Sequence, residues 1–371
     1  MAMLKRVEIH GYRSIKDADL ELRRLNVFIG ANGAGKSNFV SFFKMLNEMM
    51  AGRLQEYIGR SGRGQSFLHF GPKTTPQFEA RLEFELGDAS DNYSLRLIHA
   101  AGDTLLFAEE TLDYKKANWD TPHNQPMSLG AGHAETRIGD LAAQGNKTAN
   151  VFRHILNACR VYHFHDTSPS ARIRQYNYRD DNRWLMPDAG NLAAMLYGYQ
   201  QGSELVYRRI VSTVRKILPE FADFDLEPSR RNDKEIALNW RKRGWDYRFG
   251  PHQISDGSLR AMALCTLFLQ PENDLPSVIV LDEPELGLHP LALEIVVGLM
   301  RAVSTKTQVI VATQSPLLLN FLEPSEIVAV ECSEGRSEFR RLESEQLKDW
   351  LKDYSLGELW ERNVIGGGPL P

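Results

Sequence analysis

Cysteine is scarce in this sequence. The 371 residues hold three, Cys159, Cys265 and Cys332, far apart and without a C-x-x-C pair. That excludes a disulfide framework and a cysteine-based zinc site, and it fits free thiols in a reducing compartment. No apolar run approaches the roughly 20 residues that span a bilayer, and Met1–Arg6 leads into a charged alternating segment instead of a signal-peptide core. The expectation is a cytoplasmic protein without a membrane partner. No internal repeat is visible and no heptad pattern persists over three heptads, which excludes solenoids and long coiled-coil arms. Strong charge of either sign is also missing: 44 Lys and Arg against 48 Asp and Glu leave −4. A polyanionic partner would therefore need a local basic patch.

What remains is an ordinary globular composition, 42% hydrophobic and 25% charged, at a length that predicts about two domains. Leu4 to Leu22 alternates around a turn at His10-Gly11-Tyr12, and Leu25 to Ile29 is a short apolar run, so three strands open the chain. Apolar residues at helical spacing follow from Lys36 to Met50. Residues 51 to 75, rich in Gly, Arg and Ser, read as a loop, and Phe78–Leu86, Tyr93–Ile98 and Thr104–Tyr114 as an antiparallel meander. Residues 115 to 150, with Pro122 and Pro126, read as a mobile polar excursion, and Arg160–Asp166 as a strand. Helices are expected at Asn191–Gln200 and Ser203–Leu218, and short strands at Glu235–Trp240 and Trp245–Phe249. From Ser258 onward helices alternate with fully apolar strands, the pattern of a parallel sheet. The expected units are a core made of 1–50 and 250–371, an antiparallel β subdomain over 51–116, and an insertion lobe of helices and strands over 117–249.

The chemistry lies in two segments. Gly30-Ala31-Asn32-Gly33-Ala34-Gly35-Lys36-Ser37 fits G-x-x-x-x-G-K-[ST] between a strand and a helix. Its glycines free backbone N–H groups to face phosphates, Lys36 reaches the β and γ phosphates, Ser37 is a magnesium ligand, and Asn38 follows at the helix start. Val278-Ile279-Val280-Leu281-Asp282-Glu283 is a buried strand ending in two carboxylates. Asp282 is the second candidate metal ligand, and Glu283 the candidate that polarises the attacking water.

Ile254-Ser255-Asp256-Gly257-Ser258-Leu259-Arg260 before a helix resembles the signature loop of ABC-type ATPases in their RecF-like and OLD-like branch. Glu285-Leu286-Gly287-Leu288-His289-Pro290 resembles that branch's D-loop, Thr313-Gln314-Ser315-Pro316 its switch segment, and Ile9 to Ile15 its opening strand and turn. Tyr162–Thr167, Pro187–Ala194 and Leu356–Trp360 resemble a bacterial group of stand-alone ATPases of that branch. The resemblance implies an α/β fold: an ABC-type head with a mixed, largely parallel P-loop sheet, an antiparallel meander and an insertion lobe, and no coiled coil. It implies an ATPase that uses ATP and Mg2+ and forms an ATP-dependent homodimer, with Ser255 and Gly257 completing the partner copy's site. Gln314 would sense the γ-phosphate, and Arg13 would approach the nucleotide. A glutamine on magnesium is also implied, for which Gln65 and Gln77 both stand.

The resemblance further implies a switch acting on DNA, or on a separate effector protein from a neighbouring gene, in DNA repair or anti-phage defence. The alternative is a regulator of an effector that does not itself bind DNA. A transporter subunit is disfavoured by Gln314, where transporters usually carry His, and the structural-maintenance class by the lack of arms between Ser37 and Ile254. After the switch segment only residues 316 to 371 remain, too few for a Toprim nuclease domain of on the order of 100 residues. Basic stretches at Arg53–Arg63, Arg172–Arg183, Arg208–Lys216 and Arg241–Arg248 are candidate DNA contacts, with solvated charged helices as the other reading. His163 and His165, two residues apart on a strand beside Asp166, are either metal ligands or ordinary strand histidines.

Overall fold

A computed structural model describes residues 2–87, 89–116 and 125–368. Pro122, which belongs to the excursion expected from the sequence, lies outside them. The chain opens with β1 (Met3–Tyr12), β2 (Ile15–Glu21) and β3 (Leu25–Ile29), and the phosphate-loop motif leads into α1 (Lys36–Met50). Residues 51 to 75 are not simply a loop, because α2 (Leu54–Arg60) and a single 3-10 turn at Gly64–Phe67 form there. Leu54, Ile58 and Phe67 are buried in them. Three short apolar contacts, too few to show a period in the sequence, hold them down. The meander follows as β4 (Gln77–Leu86), β5 (Ala89–Ala100), β6 (Thr104–Lys116) and β7 (Met127–Ser128).

The segment expected as a polar excursion contains two helices, α3 (Ile138–Ala143) and α4 (Lys147–Asn157). Asn146 caps α4 by accepting from the Ala149 N–H, and Ala149, Phe152, Ile155 and Leu156 are buried along one face. β8 (Cys159–Tyr162) is shorter than the expected strand, and both histidines lie past its end. The insertion continues through β9 (Asn177–Tyr178), α5 (Leu192–Gly202), α6 (Glu204–Ile217), β10 (Phe221–Asp225), β11 (Glu235–Ile236), β12 (Asn239–Lys242) and β13 (Arg248–Phe249). The last third supplies α7 (Asp256–Phe268), β14 (Val278–Asp282), α8 (Pro290–Ser304), β15 (Gln308–Thr313), α9 (Pro316–Leu319), β16 (Ile327–Ser333), β17 (Arg336–Arg341), α10 (Ser344–Leu347) and α11 (Leu356–Glu361).

Two six-stranded sheets carry the fold, in the orders β2-β1-β4-β5-β6-β7 and β17-β16-β3-β15-β14-β8. The first is antiparallel and takes in β1 and β2, so it is wider than the 51–116 span. In the second, β16, β3, β15, β14 and β8 run parallel, and β8 comes from the insertion. Apolar residues alternate between its two faces, each packed in its own core. Val27, Ile29, Leu281 and Val311 face α5 to α8, whereas Phe28, Val280, Ile310 and Val330 face α1, α4 and the antiparallel sheet. A parallel sheet covered on both faces explains the unbroken apolar runs in its strands. Among the described residues no helix exceeds the 15 residues of α1 and α8, there is no coiled coil, and no helix is long and apolar enough to cross a membrane. The three thiols are free, two of them buried.

Candidate functional site

Parallel register brings the functional segments to one edge of the sheet. Thr313 pairs with Ile29, Asp282 with Ala312, and Leu281 with Tyr162. The residues that leave these strands next, Gly30, Gln314, Glu283 and His163, therefore emerge side by side at the carboxyl ends, where open α/β sheets build their sites.

Gly33 and Gly35 adopt φ of +80° and +110°, conformations that side chains resist. At Gly35 space is also decisive, because a Cβ would fall 1.8 Å from Ser337 Oγ. Ser337 Oγ donates to the Ala34 carbonyl at 2.7 Å and lies 2.7 Å from Ser14 Oγ, which accepts from Asn38 Nδ2 at 2.6 Å. The β1–β2 turn and β17 thus brace the phosphate loop from behind. Sequence reading missed Ser337, since nothing in its local pattern signals a partner some 300 residues away.

Lys36 is 5% exposed, and its Nζ donates to the carbonyls of Gly30 at 2.6 Å and Ala31 at 3.0 Å. Burial lowers its pKa, an effect opposed by the charges of Glu283, Asp282 and Glu285. Asp282 is raised above the usual carboxylate range by burial and then by Glu283. Ser37 and Asp282 line one groove, of about 460 Å³, with Lys44, Glu48, Arg53, His163 and Asp188. Neither Gln65 nor Gln77 reaches that groove. The Gln65 backbone N–H donates to Asp103, and Gln77 bonds Glu79 and Arg96.

Glu283 sits at φ +43°, a strained conformation for a side-chain-bearing residue, while its N–H still donates to the Ala312 carbonyl. Its Oε1 accepts from Gln314 Nε2 at 2.8 Å. Glu285 stands behind them: one oxygen accepts from Thr313 Oγ1, the other is buried without a partner, and burial raises its pKa. His165 Nε2 donates to the Asp282 carbonyl at 2.9 Å, and the rings of His163 and His165 lie 3.8 Å apart. The His163 pKa is pushed down to about 4, first by burial and then by His165 and Lys44. No group of three or more His, Cys, Asp or Glu able to hold a metal occurs among the described residues.

Ser255 caps α7, accepting from the Ser258 N–H at 3.2 Å, and is itself exposed. Gly257 packs against the Gly287 turn so closely that a Cβ would meet the Gly287 carbonyl at 2.1 Å. Arg260 and Arg174 hold the loop in place. Arg260 reaches the carbonyls of Phe164, His165 and Leu286. Arg174, 6% exposed, donates to the carbonyls of Thr167, Pro251 and Ile254 and to Asp256. Burying a guanidinium costs several kcal/mol unless its donors are matched, and here they are. Arg174 is therefore structural, not one of a row of exposed DNA contacts. Arg13 lies 4.8 Å over the Phe67 ring and 5.6 Å from that of Tyr12, with its Nε buried and unpartnered.

The other basic stretches are largely ion-paired. Arg53 bonds Glu48, Arg60 bonds Glu56, Arg208 bonds Glu204, and Arg241 and Arg248 share Asp225. Trp184, in contrast, is exposed with Arg160 and Arg183 each 5.4 Å from its ring, and Tyr176 and Tyr178 are exposed nearby in sequence.

No curated protein matches the sequence. The fold is similar to the SMC head domain of Thermotoga maritima, with 14% identity and a TM-score of 0.51 over 92% of this chain and 99% of that one. A Pyrococcus furiosus Smc head with an extended coiled coil, bound to the C-terminal domain of ScpA, gives 14% identity and a TM-score of 0.61 over 95% and 99%. An SmcHead bound to the C-winged helix domain of ScpA gives 16% and 0.59 over 93% and 99%. At the level of sequence, residues 25–320 match the family described as "AAA domain, putative AbiEii toxin, Type IV TA system". The match takes in the phosphate loop, the strand of Asp282 and Gln314, and the chain belongs to this family of AAA/ABC-type ATPases, with the fold of an ABC-type ATPase head.

Proposed function

We propose that the protein binds and hydrolyses ATP, that two copies close on the nucleotide, and that this closure switches the activity of a separate partner protein. The observation that carries the reading is the meeting, at one sheet edge, of Lys36, Asp282, Glu283 and Gln314. Backbone N–H groups of the phosphate loop bind the phosphates together with Lys36, whose ammonium the Gly30 and Ala31 carbonyls hold. Ser37 and Asp282 offer a hydroxyl and a carboxylate to one groove, hard oxygen donors that suit Mg2+. When bound, the ion supplies charge neutralisation on the phosphates. Glu283 orients the attacking water and accepts its proton, and Gln314 holds the Glu283 carboxylate in position.

Closure of two copies is supported by the exposed Ser255 at the start of α7, an anion-binding helix terminus. Action on a protein partner is favoured because most of the arginines and lysines in the basic stretches are already neutralised by acids of this chain. The two Smc heads named with ScpA are heads bound to a separate protein, an arrangement this reading carries over. DNA is the second reading, supported by Trp184 between Arg160 and Arg183, a surface suited to stacking an unpaired base. A role in repair or phage defence belongs to either reading. The test is phosphate release from ATP and Mg2+ by wild type and Lys36→Ala, with single-stranded DNA titrated at two salt concentrations. Equal turnover by both proteins would defeat the reading, and salt-dependent DNA binding would promote the second.

A further inference from the structure

His163 belongs to no element of the ATP reading, yet it stands at its centre. The pairing of Leu281 with Tyr162 makes His163 the next residue beside Asp282 on the neighbouring strand end. It lines the groove that Ser37 and Asp282 share. Two contacts hold it. Its backbone N–H donates to the Pro187 carbonyl at 2.8 Å, and its ring packs 3.8 Å from that of His165, which is itself anchored on the Asp282 carbonyl. His165 spends its Nε2 proton on that bond, so it serves as support, and His163 is the member of the pair turned to the groove. Neither glutamine between the phosphate loop and α7 that the sequence offered for the cation lies here.

We propose that the His163 imidazole is a direct ligand of the divalent cation that accompanies ATP, alongside Ser37 and Asp282. This rests on the ATP reading above. Ser37, Asp282 and His163 offer three donors to the groove, fewer than the six that Mg2+ takes, so phosphate oxygens of the nucleotide and water would fill the remaining positions. A nitrogen donor also changes the metal preference. Imidazole suits Zn2+, Fe2+ and Ni2+, whereas carboxylate, carbonyl and water oxygens suit Mg2+ and Mn2+.

The experiment is pulsed electron paramagnetic resonance of the full chain with Mn2+ and a slowly hydrolysed ATP analogue. Wild type should show the nitrogen coupling of a bound imidazole, and protein made with 15N-histidine should show the changed isotope pattern without any substitution. His163→Gln should lose the coupling, and His165→Gln should keep it. In the presence of the analogue, His163→Ala, which leaves no donor at this position, should also weaken Mn2+ binding by at least roughly tenfold, the lower end of the losses caused by removing even outer-shell partners of metal ligands. Nucleotide-dependent Mn2+ binding without histidine coupling, or coupling that survives in His163→Gln and vanishes in His165→Gln, would overturn the ligand assignment alone. Absence of any nucleotide-dependent Mn2+ binding would overturn the ATP reading beneath it.

Discussion

Gln314 Nε2 donates to Glu283 Oε1 across 2.8 Å, joining the residues that follow two adjacent parallel strands. The bond fixes one oxygen of a carboxylate whose own backbone is strained at φ +43°. A carboxylate aimed in this way can accept a proton from water at the sheet edge, and general-base assistance of that kind contributes roughly 100- to 10,000-fold in rate. Glu283→Gln should therefore bind ATP about as well as wild type and release phosphate at least about 100-fold more slowly. Gln314→Ala should retain binding with a smaller loss of turnover, because the carboxylate remains but is no longer aimed. Equilibrium binding of a fluorescent nucleotide beside steady-state phosphate release separates the two effects. Unchanged turnover in Glu283→Gln would remove that residue from the chemistry.

The exposed Ser255 and the tight Gly257–Gly287 contact address the step between copies. Ser255→Arg puts a long cation on the surface that would meet a second nucleotide, and it should block ATP-dependent dimerisation with single-site binding intact. Gly257→Ala has no room for its Cβ against the Gly287 carbonyl, so it should displace the loop and give the same outcome together with a lower thermal midpoint. Light scattering with and without ATP, in the Glu283→Gln background, reads the mass directly. One mass under every condition would count against closure.

The brace behind the phosphate loop yields a third expectation. Ser337 is 2% exposed and its hydroxyl bridges Ala34 and Ser14. Ser337→Ala leaves the Ala34 carbonyl short of a donor, at a cost of about 1–3 kcal/mol for an unsatisfied buried group. Nucleotide affinity should fall with stability. Gly35→Ala should be worse, since it combines a φ of +110° with a Cβ driven into Ser337. Denaturant melts with and without nucleotide measure both quantities, and a Ser337→Ala protein as stable and as tight-binding as wild type would show the brace to be idle.

How far the sequence carried this picture depends on whether each feature is local. The phosphate loop was legible because its constraint is the backbone of Gly33 and Gly35, written in six to eight consecutive residues, and the parallel strands because burial on both faces leaves unbroken apolar runs. α4 was not legible. It is a short helix in a polar stretch, and its Phe152 and Ile155 count as a helical face only once the antiparallel sheet is there to bury them. Arg174 looked like surface charge because its acceptors, Pro251, Ile254 and Asp256, come some 80 residues later. The two histidines read as one face of a strand, whereas the strand ends at Tyr162 and they meet through the loop beyond it, against Asp282.

Away from the site, Asp91 in β5 predicts a pH signature. Its side chain is fully buried, neither oxygen has a hydrogen-bond partner, and burial alone raises its pKa from 3.8 to about 6. The folded chain thus holds this proton more tightly than the unfolded chain does. Below 3.8 both states are protonated and the group is silent; between 3.8 and about 6 folding loses stability as pH rises, and above about 6 the full penalty of a buried carboxylate persists. Asp91→Asn removes the charge at nearly constant volume, so its thermal midpoint should exceed that of wild type at pH 7.5. The gap should close as pH falls towards 4. The difference between the two proteins isolates Asp91 from every other titrating group, which acts equally on both. A midpoint difference that does not vary between pH 4 and 7.5 would show that Asp91 is not the buried, unpaired carboxylate described here.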